Sequence, residues 1–252
     1  MIALLREPSP SLGACELSFL ERAPIDVGRA RVQHARYAAE LTALGISIEW
    51  LEPLPENADA VFVEDTAVVL PEVAVVTRPG VASRRNEVES VAASLAGHRP
   101  LKRIVAPGTL EGGDVVRIGR NLYVGASGRS NAAGIEQLRA ALAPVGYRVA
   151  GVAMRDCLHL KSAATFIPPD VLLVNPAWAD PGVFDARTVV EVDEGEAFAA
   201  NTLTVERVTL VSAAFPRTEE RLRAAGVATR ALDVSELQKA EAALTCMSVM
   251  LV

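Results

Sequence analysis

One order of elements recurs along the chain. VFVEDTAVV (61–69) and VAVVTRP (73–79) are β-rich runs flanking Pro71-Glu72, and together they read as a hairpin. Val88, Val91, Ala92 and Leu95 then fall at helical spacing over 84–96, and a strand near KRIVAP (102–107) follows. The order returns with DVVRIG and NLYVGA on either side of Gly119-Arg120. Ser130-Asn131 caps a helix with an Ile135, Leu138, Leu142 stripe, and a strand at YRVAGVAM (147–154) closes that unit. A third copy pairs SAATFI with VLLVNP across Pro168-Pro169-Asp170, then has a poor helix and the strand VVEVD. A fourth has TLTVER and VTLVSA, a helix over 217–225 ended by Gly226, and a strand over 227–232. The fifth is split: CMSVMLV (246–252) would pair with IALLREP (2–8). The helix 26–44, Gly45 and the strand ISIEWLEP complete it.

Five such units, each roughly 40 to 50 residues, fold as a repeat in which each buries its face on its neighbours. Closing them into a ring gives every unit two neighbours. An ordinary open α/β sheet satisfies the same pattern, so both arrangements stand at this point. A single domain over 1–252 is expected.

Composition narrows the partners. The net charge is 25 − 31 = −6, which argues against a general nucleic-acid binder, since that function needs a basic face to release counterions. No run approaches the ~18 apolar residues of a membrane helix, and Arg6 cuts short the apolar N-terminal run. Three widely spaced cysteines, Cys15, Cys157 and Cys246, suggest neither a disulfide framework nor a zinc knuckle. A reduced, cytoplasmic protein without membrane or nucleic-acid partners is expected. No dinucleotide-binding glycine fingerprint, phosphate loop, HExxH or GxSxG is present.

The repeat directs attention to the polar residues at equivalent places. Just before or within the first hairpin strand of each unit stand Glu64-Asp65, Glu111, His159, Asn201 and Cys246, each among apolar neighbours. In a cyclic fold these positions converge on one axis, bringing a thiol, an imidazole and several carboxylates together. A thiolate can attack, an imidazole can shuttle protons, and a carboxylate on the imidazole fixes its tautomer and raises its pKa. The remaining carboxylates suit a cation, and guanidinium matches bidentate acceptors best.

Each residue also has a plainer reading. Cys246 fits a buried core thiol and His159 a satisfied core histidine. Glu64-Asp65 fits a solvated hairpin mouth, and Gly112-Gly113 a turn or bulge. Cys157 is a rival nucleophile two residues from His159. On one strand face that places their Cα atoms roughly 7 Å apart, long for a hydrogen bond, so Cys157 reads as structural. Cys15 lies in the N-terminal loop.

VFVEDTAVV, TRPGVASRRNE, LEGGDVV, VGASGRSN, HLKSAAT, LTCMSV and, near the start, DVGRARVQH resemble, in order, the motif set of the dimethylarginine dimethylaminohydrolase family of the pentein (amidinotransferase/deiminase) superfamily. The resemblance implies a five-bladed α/β propeller of ββαβ units with pseudo-fivefold symmetry, and no cofactor or metal. It implies that Cys246 attacks a guanidinium carbon. His159 then protonates the departing methylamine and later activates water, and Glu111 orients His159. Asp65 and Glu64 would hold the guanidinium nitrogens, and Asp59 would be a further acidic substrate contact. Arg84 and Arg129 would bind an α-carboxylate, with Arg85 the alternative should the register slip by one. Leu12 would lie in a mobile lid. The products would be L-citrulline and methylamine or dimethylamine. The chain departs from the pattern at Met247, where the family motif has leucine, and across the lid segment ACELSFLERAPID.

The expected partner is a small guanidino amino acid, and the protein is expected to be a monomer or homodimer. An arginine deiminase-like or other substituted-guanidine hydrolase is the nearest alternative. A non-catalytic pentein that binds a ribosomal subunit is the more distant one.

Overall fold

The computed structural model describes residues 1–251; Val252, the last residue of the run read as 246–252, lies outside the described residues. Among them, fifteen strands form five separate three-stranded sheets. Every sheet is wired alike: its middle strand runs antiparallel to its hairpin partner and parallel to the strand that follows. In the second unit Val115–Ile118 pairs with Asn121–Gly125, Val115 opposite Val124, and Leu122 lies opposite Val149 on the far side. The split unit is assembled as its pattern requires. Ile2 lies opposite Leu251 in an antiparallel pair and opposite Ser47 in a parallel one.

The crossover helices follow from caps and stripes. Asp26 accepts from the Arg29 amide at 2.9 Å and opens Val27–Ala43, which buries Ala30, Tyr37, Ala38 and Leu41. Asn131 does the same for Ala132–Leu142 by accepting from the Gly134 amide at 2.8 Å. Gly45, at φ +86°, lets the chain leave the first helix in the left-handed region that a side chain disfavours.

Packing shows why the strands read as near-continuous apolar runs. The core divides into five large clusters, each straddling two successive units. Val115, Leu122 and Val124 pack with Val68 and Val75 of the preceding unit, whereas Val116, Tyr123 and Val152 pack with Leu172 and Val174 of the next. Leu173 and Val190 meet Val211 and Leu222. Leu4 and Val249 meet Ala67 and Val91. Val205 and Leu210 meet Ala3, Leu5 and Tyr37, and that last cluster closes the ring. Alternate residues of one strand thus face two different neighbours, so neither face is free to be polar. The open-sheet alternative is excluded: the fold is a five-bladed pentein α/β propeller. Its first strands surround an axial cavity of about 290 Å³, with Val68, Val116, Phe166, Leu203 and Val249 each contributed by a different unit.

Several boundaries differ from the sequence reading. The run 61–69 is strand only over Ala67–Val69; Val63–Thr66 is a 3₁₀ turn. There Thr66 Oγ1 turns back onto the Val63 carbonyl at 2.6 Å, and the Phe62 carbonyl accepts from Arg84, so side chains claim the backbone that a ladder would use. SAATFI begins as the short helix Leu160–Ala163, and the helix read as 84–96 starts at Val88, after a 3₁₀ turn over Ala82–Arg84. The strand at 102–107 is Leu101–Arg103, and the poor third helix is a 3₁₀ turn, Pro181–Val183. No helix among the described residues is long and apolar enough to cross a membrane.

Candidate active site

Short turns before the first strands carry the polar residues singled out above. Glu64 and Asp65 lie in the turn 63–66. Glu111 precedes Gly112–Asp114, His159 precedes Leu160–Ala163, and Cys246 lies within Thr245–Met247. Turns from successive units touch closely. A Cβ on Gly112 would stand 2.0 Å from the Glu64 carbonyl, and one on Gly113 would stand 2.8 Å from both Asp65 Oδ1 and His159 Nδ1. The two glycines are therefore the means by which acid, imidazole and neighbouring turn come into contact, beyond being a simple bulge.

Asp65, His159, Cys246, Arg84, Arg129 and Asp59 line one cavity of about 20 Å³. His159 Nε2 bonds Glu111 Oε2 at 2.7 Å and lies 3.8 Å from Asp65 Oδ1. Glu111 is fully buried behind the imidazole; its other oxygen accepts from the Gly80 amide at 3.0 Å and faces Arg129 at 3.8 Å. Burial lowers the His159 pKa, but Asp65, Asp114 and Glu111 outweigh it and push the value up to about 9. The imidazole is therefore an acid at neutral pH. Burial raises the Cys246 thiol, Glu64 and Asp65 add to the rise, and the pKa reaches about 12. The resting sulfur is thus a neutral thiol, accepting from the Ala243 amide at 3.4 Å.

Asp65 accepts from Arg84 at 2.7 Å and from the Gly113 amide at 3.0 Å. Burial pushes its pKa up, but the His159 and Arg84 charges prevail and hold it low. Arg84 is itself buried and also bonds Glu87 and the Asp59 and Phe62 carbonyls, so most of its fork is spent on the protein. Arg85 bonds the Pro79 and Gly80 carbonyls and is not among the cavity's lining residues, whereas Arg84 is. Asp59 accepts from the Glu16 amide at 3.1 Å, and burial raises its pKa.

Two expected contacts are placed elsewhere. Glu64 points away from Asp65 into the end of the axial cavity, with Oε1 on Lys161 Nζ at 2.5 Å and Oε2 accepting from Thr245 Oγ1 at 2.6 Å. Adjacent residues on a tight turn diverge, so only Asp65 reaches the smaller cavity. Leu12 is fully buried among Leu5, Cys15 and Tyr37, because the 3₁₀ turn Leu12–Ala14 folds it into the core. Glu16 lines the cavity instead, and Glu241 lines it opposite. Cys157 lies in an irregular bend rather than a strand and packs in the core, where burial pushes its thiol up to about 12.

Sequence reasoning missed Lys161, Thr245 and Glu241. Lys161 carried a signal, being the one charged residue in the run LKSAATFI. Asn201 bonds Thr245 reciprocally, Nδ2 to Oγ1 at 2.9 Å and Oδ1 from the amide at 3.0 Å, which fixes the turn that presents Cys246. Asp65, Glu111 and His159 place three ligand-type atoms within 4.8 Å of one another. Arg84 on Asp65 and Arg129 beside Glu111 already supply the positive charge there, so the group reads as an acid–base cluster.

No protein-family model matches the chain. It is 39% identical to the N(G),N(G)-dimethylarginine dimethylaminohydrolase of Streptomyces coelicolor over 251 residues, 99% of this chain and 96% of that one. Among solved structures it matches a dimethylarginine dimethylaminohydrolase, a His-to-Gly variant forming an adduct with S-methyl-L-thiocitrulline, at TM-score 0.93 and 32% identity. It also matches the Pseudomonas aeruginosa enzyme, a Cys-to-Ser mutant complexed with citrulline, at TM-score 0.92 and 31% identity. Both cover 98% of each chain. With identity above 30% along nearly its whole length, the chain belongs to the dimethylarginine dimethylaminohydrolase family.

Proposed function

We propose that the protein hydrolyses Nω-methylated arginines to L-citrulline and methylamine or dimethylamine, with residues 1–252 acting as one catalytic domain. The observation that carries this reading is the convergence of Cys246, His159 and Asp65 from three separate units on one cavity, with Glu111 bonded behind the imidazole. The substrate guanidinium lies against Asp65, with Asp59 beside it, and the α-carboxylate lies towards Arg129 and the remaining N–H of Arg84. Every residue in this scheme comes from one copy of the chain.

The chemistry follows from the charge states. A thiol held near pKa 12 is a poor nucleophile, but a guanidinium cation alongside favours the thiolate, so the substrate activates its own attacker; the thiol proton passes to solvent, since His159 already holds its own. Sulfur attacks the guanidinium carbon, and the C–N bond to the methylated nitrogen breaks. An amine cannot leave as an anion; the His159 imidazolium donates the proton that lets it depart neutral. The resulting S-alkylthiouronium is then attacked by water. The now neutral His159 takes one water proton, the C–S bond breaks, and the second water proton restores the Cys246 thiol as citrulline is released. Glu111 holds the imidazole in place through both steps.

The test is a citrulline assay with asymmetric dimethylarginine, monomethylarginine and arginine in parallel, using Cys246→Ser as the blank. Citrulline from the methylated substrates, little from arginine, none from Cys246→Ser and near-normal output from Cys157→Ser are expected. Citrulline mainly from arginine would make the protein a deiminase instead. Activity retained by a folded Cys246→Ser protein would remove Cys246 as the nucleophile.

A further inference from the structure

The buried carboxylate of Asp114 touches none of the groups given a role above, yet it stands between two of them. Its Oδ1 accepts from the Leu160 amide at 3.0 Å, the first N–H after His159. Its Oδ2 accepts from Ser127 Oγ at 2.6 Å. Ser127 Oγ in turn accepts the Arg129 and Ser130 amides at 2.9 and 3.0 Å, and Ser130 Oγ accepts the Glu111 amide at 3.0 Å. One side chain therefore ties the turn carrying His159 to the loop carrying Arg129, and through Ser130 to Glu111. Gly125 leaves the room this needs: a Cβ there would stand 2.8 Å from Asp114 Oδ1 and 3.0 Å from the Leu160 side chain.

A buried ionised carboxylate is costly unless charge compensates it, and among the described residues no arginine, lysine or histidine bonds Asp114 directly. The hydrogen bonds alone do not require the charge, since a neutral acceptor serves an amide and a hydroxyl as well. What the charge favours is the His159 imidazolium.

We infer that Asp114 is a positioning residue that holds His159 in place and keeps it protonated for leaving-group departure. It acts through the Leu160 amide and through space, and its bond to Ser127 sets the Arg129 loop in register with it. This rests on the reaction proposed above. Burial keeps the Asp114 pKa up at about 6 even against His159, so the carboxylate is ionised at neutral pH. The other titratable and charged groups around the pair are Asp65 and Glu64 on the turn 63–66, Glu111, Lys161, Cys157, and, from the cavity His159 lines, Asp59, Arg84, Arg129 and Cys246; substitution at Asp114 leaves all of them in place.

Asp114→Asn removes the charge. It also turns an amide towards Ser127, whose oxygen already accepts two N–H groups. The discriminating pair of substrates is dimethylarginine, whose amine must be protonated to leave, and S-methyl-L-thiocitrulline, whose thiolate leaves without help. kcat/KM is compared for the two, because it reports steps only up to departure of the leaving group. For Asp114→Asn the fall is expected to be roughly tenfold or more greater with dimethylarginine than with the thiol-leaving substrate. Ser127→Ala keeps the charge and loosens the Arg129 loop; it should raise KM and leave that ratio at its wild-type value. Equal losses on both substrates would make Asp114 merely structural. If Asp114→Asn does not fold, Asp114→Ser, small and neutral with room for water, is read in the same way.

A second measurement is independent of turnover. The chain has three histidines, so the His159 imidazole resonance can be followed by NMR and identified by its loss in His159→Gln. Its titration midpoint should move down in Asp114→Asn. An unchanged midpoint overturns the inference whether or not methylarginine is a substrate, whereas a wild-type protein inert to methylarginine would overturn only the proposed reaction.

Discussion

At the scale of single residues, two buried histidines end with opposite pKa shifts, because burial lowers both and only one has carboxylates beside it. His159 is surrounded by carboxylates and is held up at about 9. Because the acid form drives departure and bound substrate has already favoured the thiolate, kcat should be level through neutral pH and fall above about 9. A basic limb near pH 6.5, the ordinary histidine range, would mean that the carboxylates do not control it. His34 is as deeply buried, but its Nε2 has no hydrogen-bond partner among the described residues and the rings of Tyr37 and Trp50 lie beside it, so burial pushes its pKa down to about 4. The unfolded chain therefore binds the proton more tightly than the folded one. Stability is unaffected above pH 6.5, falls as pH drops through the window from 6.5 to about 4, and loses on the order of 3 kcal/mol across it. Urea unfolding at pH 7 and pH 5 checks this. His34→Leu should cost little at pH 7 and be more stable than wild type at pH 5, and parallel pH curves for the two proteins would contradict the assignment.

At the scale of elements, the segment between Cys15 and Val27 has no regular structure, yet it is pinned at several points. The Glu241 carboxylate accepts the amides of Ser18, Phe19 and Leu20, at 2.5 Å from the last two. Arg129 reaches Ser18 Oγ at 3.2 Å, and Asp59 takes the Glu16 amide. Under this cover a cavity of about 20 Å³ remains, room for roughly one water, so a methylarginine enters only when the segment lifts. Glu241→Ala removes three charge-assisted bonds. Trypsin should then cut after Arg22 several-fold faster and KM should change, while the melting temperature stays near wild type. Unchanged proteolysis would mean that Glu241 does not hold the segment. These elements also mark what a sequence can convey. Doublets of apolar strands, caps such as Asn131 and the recurrence of one polar site per unit were legible, because local chemistry sets them. That placed Cys246, His159, Glu111 and Asp65 together. The 3₁₀ turns were not legible, because contacts from other units, such as Gly113 with Asp65, shape them. For the same reason Glu64 and Asp65 could not be assigned to opposite cavities. Nothing local marks Glu241, whose role depends on a segment more than 200 positions away.

At the scale of the whole molecule, the chain breaks between the first and second strands of a unit. Val249–Leu251 is the hairpin partner of Ile2–Leu5, and no covalent turn joins them there. In the other four units a turn occupies that place, as Glu206-Arg207 does between Leu203–Val205 and Val208–Ser212. If the five inter-unit clusters hold the ring, the position of the break is immaterial so long as every cluster keeps both halves. A circular permutant tests this: a short glycine linker bridges from beyond Leu251 to before Ile2, two residues that face each other, and new ends open at Glu206-Arg207. Every strand pair and cluster survives, so the permutant should fold and keep kcat within about tenfold, as permutation at exposed turns usually allows. Removing residues 249–251 is the converse. It strips one strand from its sheet and takes Val249 and Leu251 from the cluster they share with Leu4, Val63 and Ala67. Each such side chain contributes about 1.5–3 kcal/mol on burial, comparable in sum to the whole stability of an ordinary domain. The shortened chain should therefore lose its cooperative thermal transition. A permutant that fails to fold beside a truncated chain that folds would show that chain order, rather than closure of the ring, governs stability.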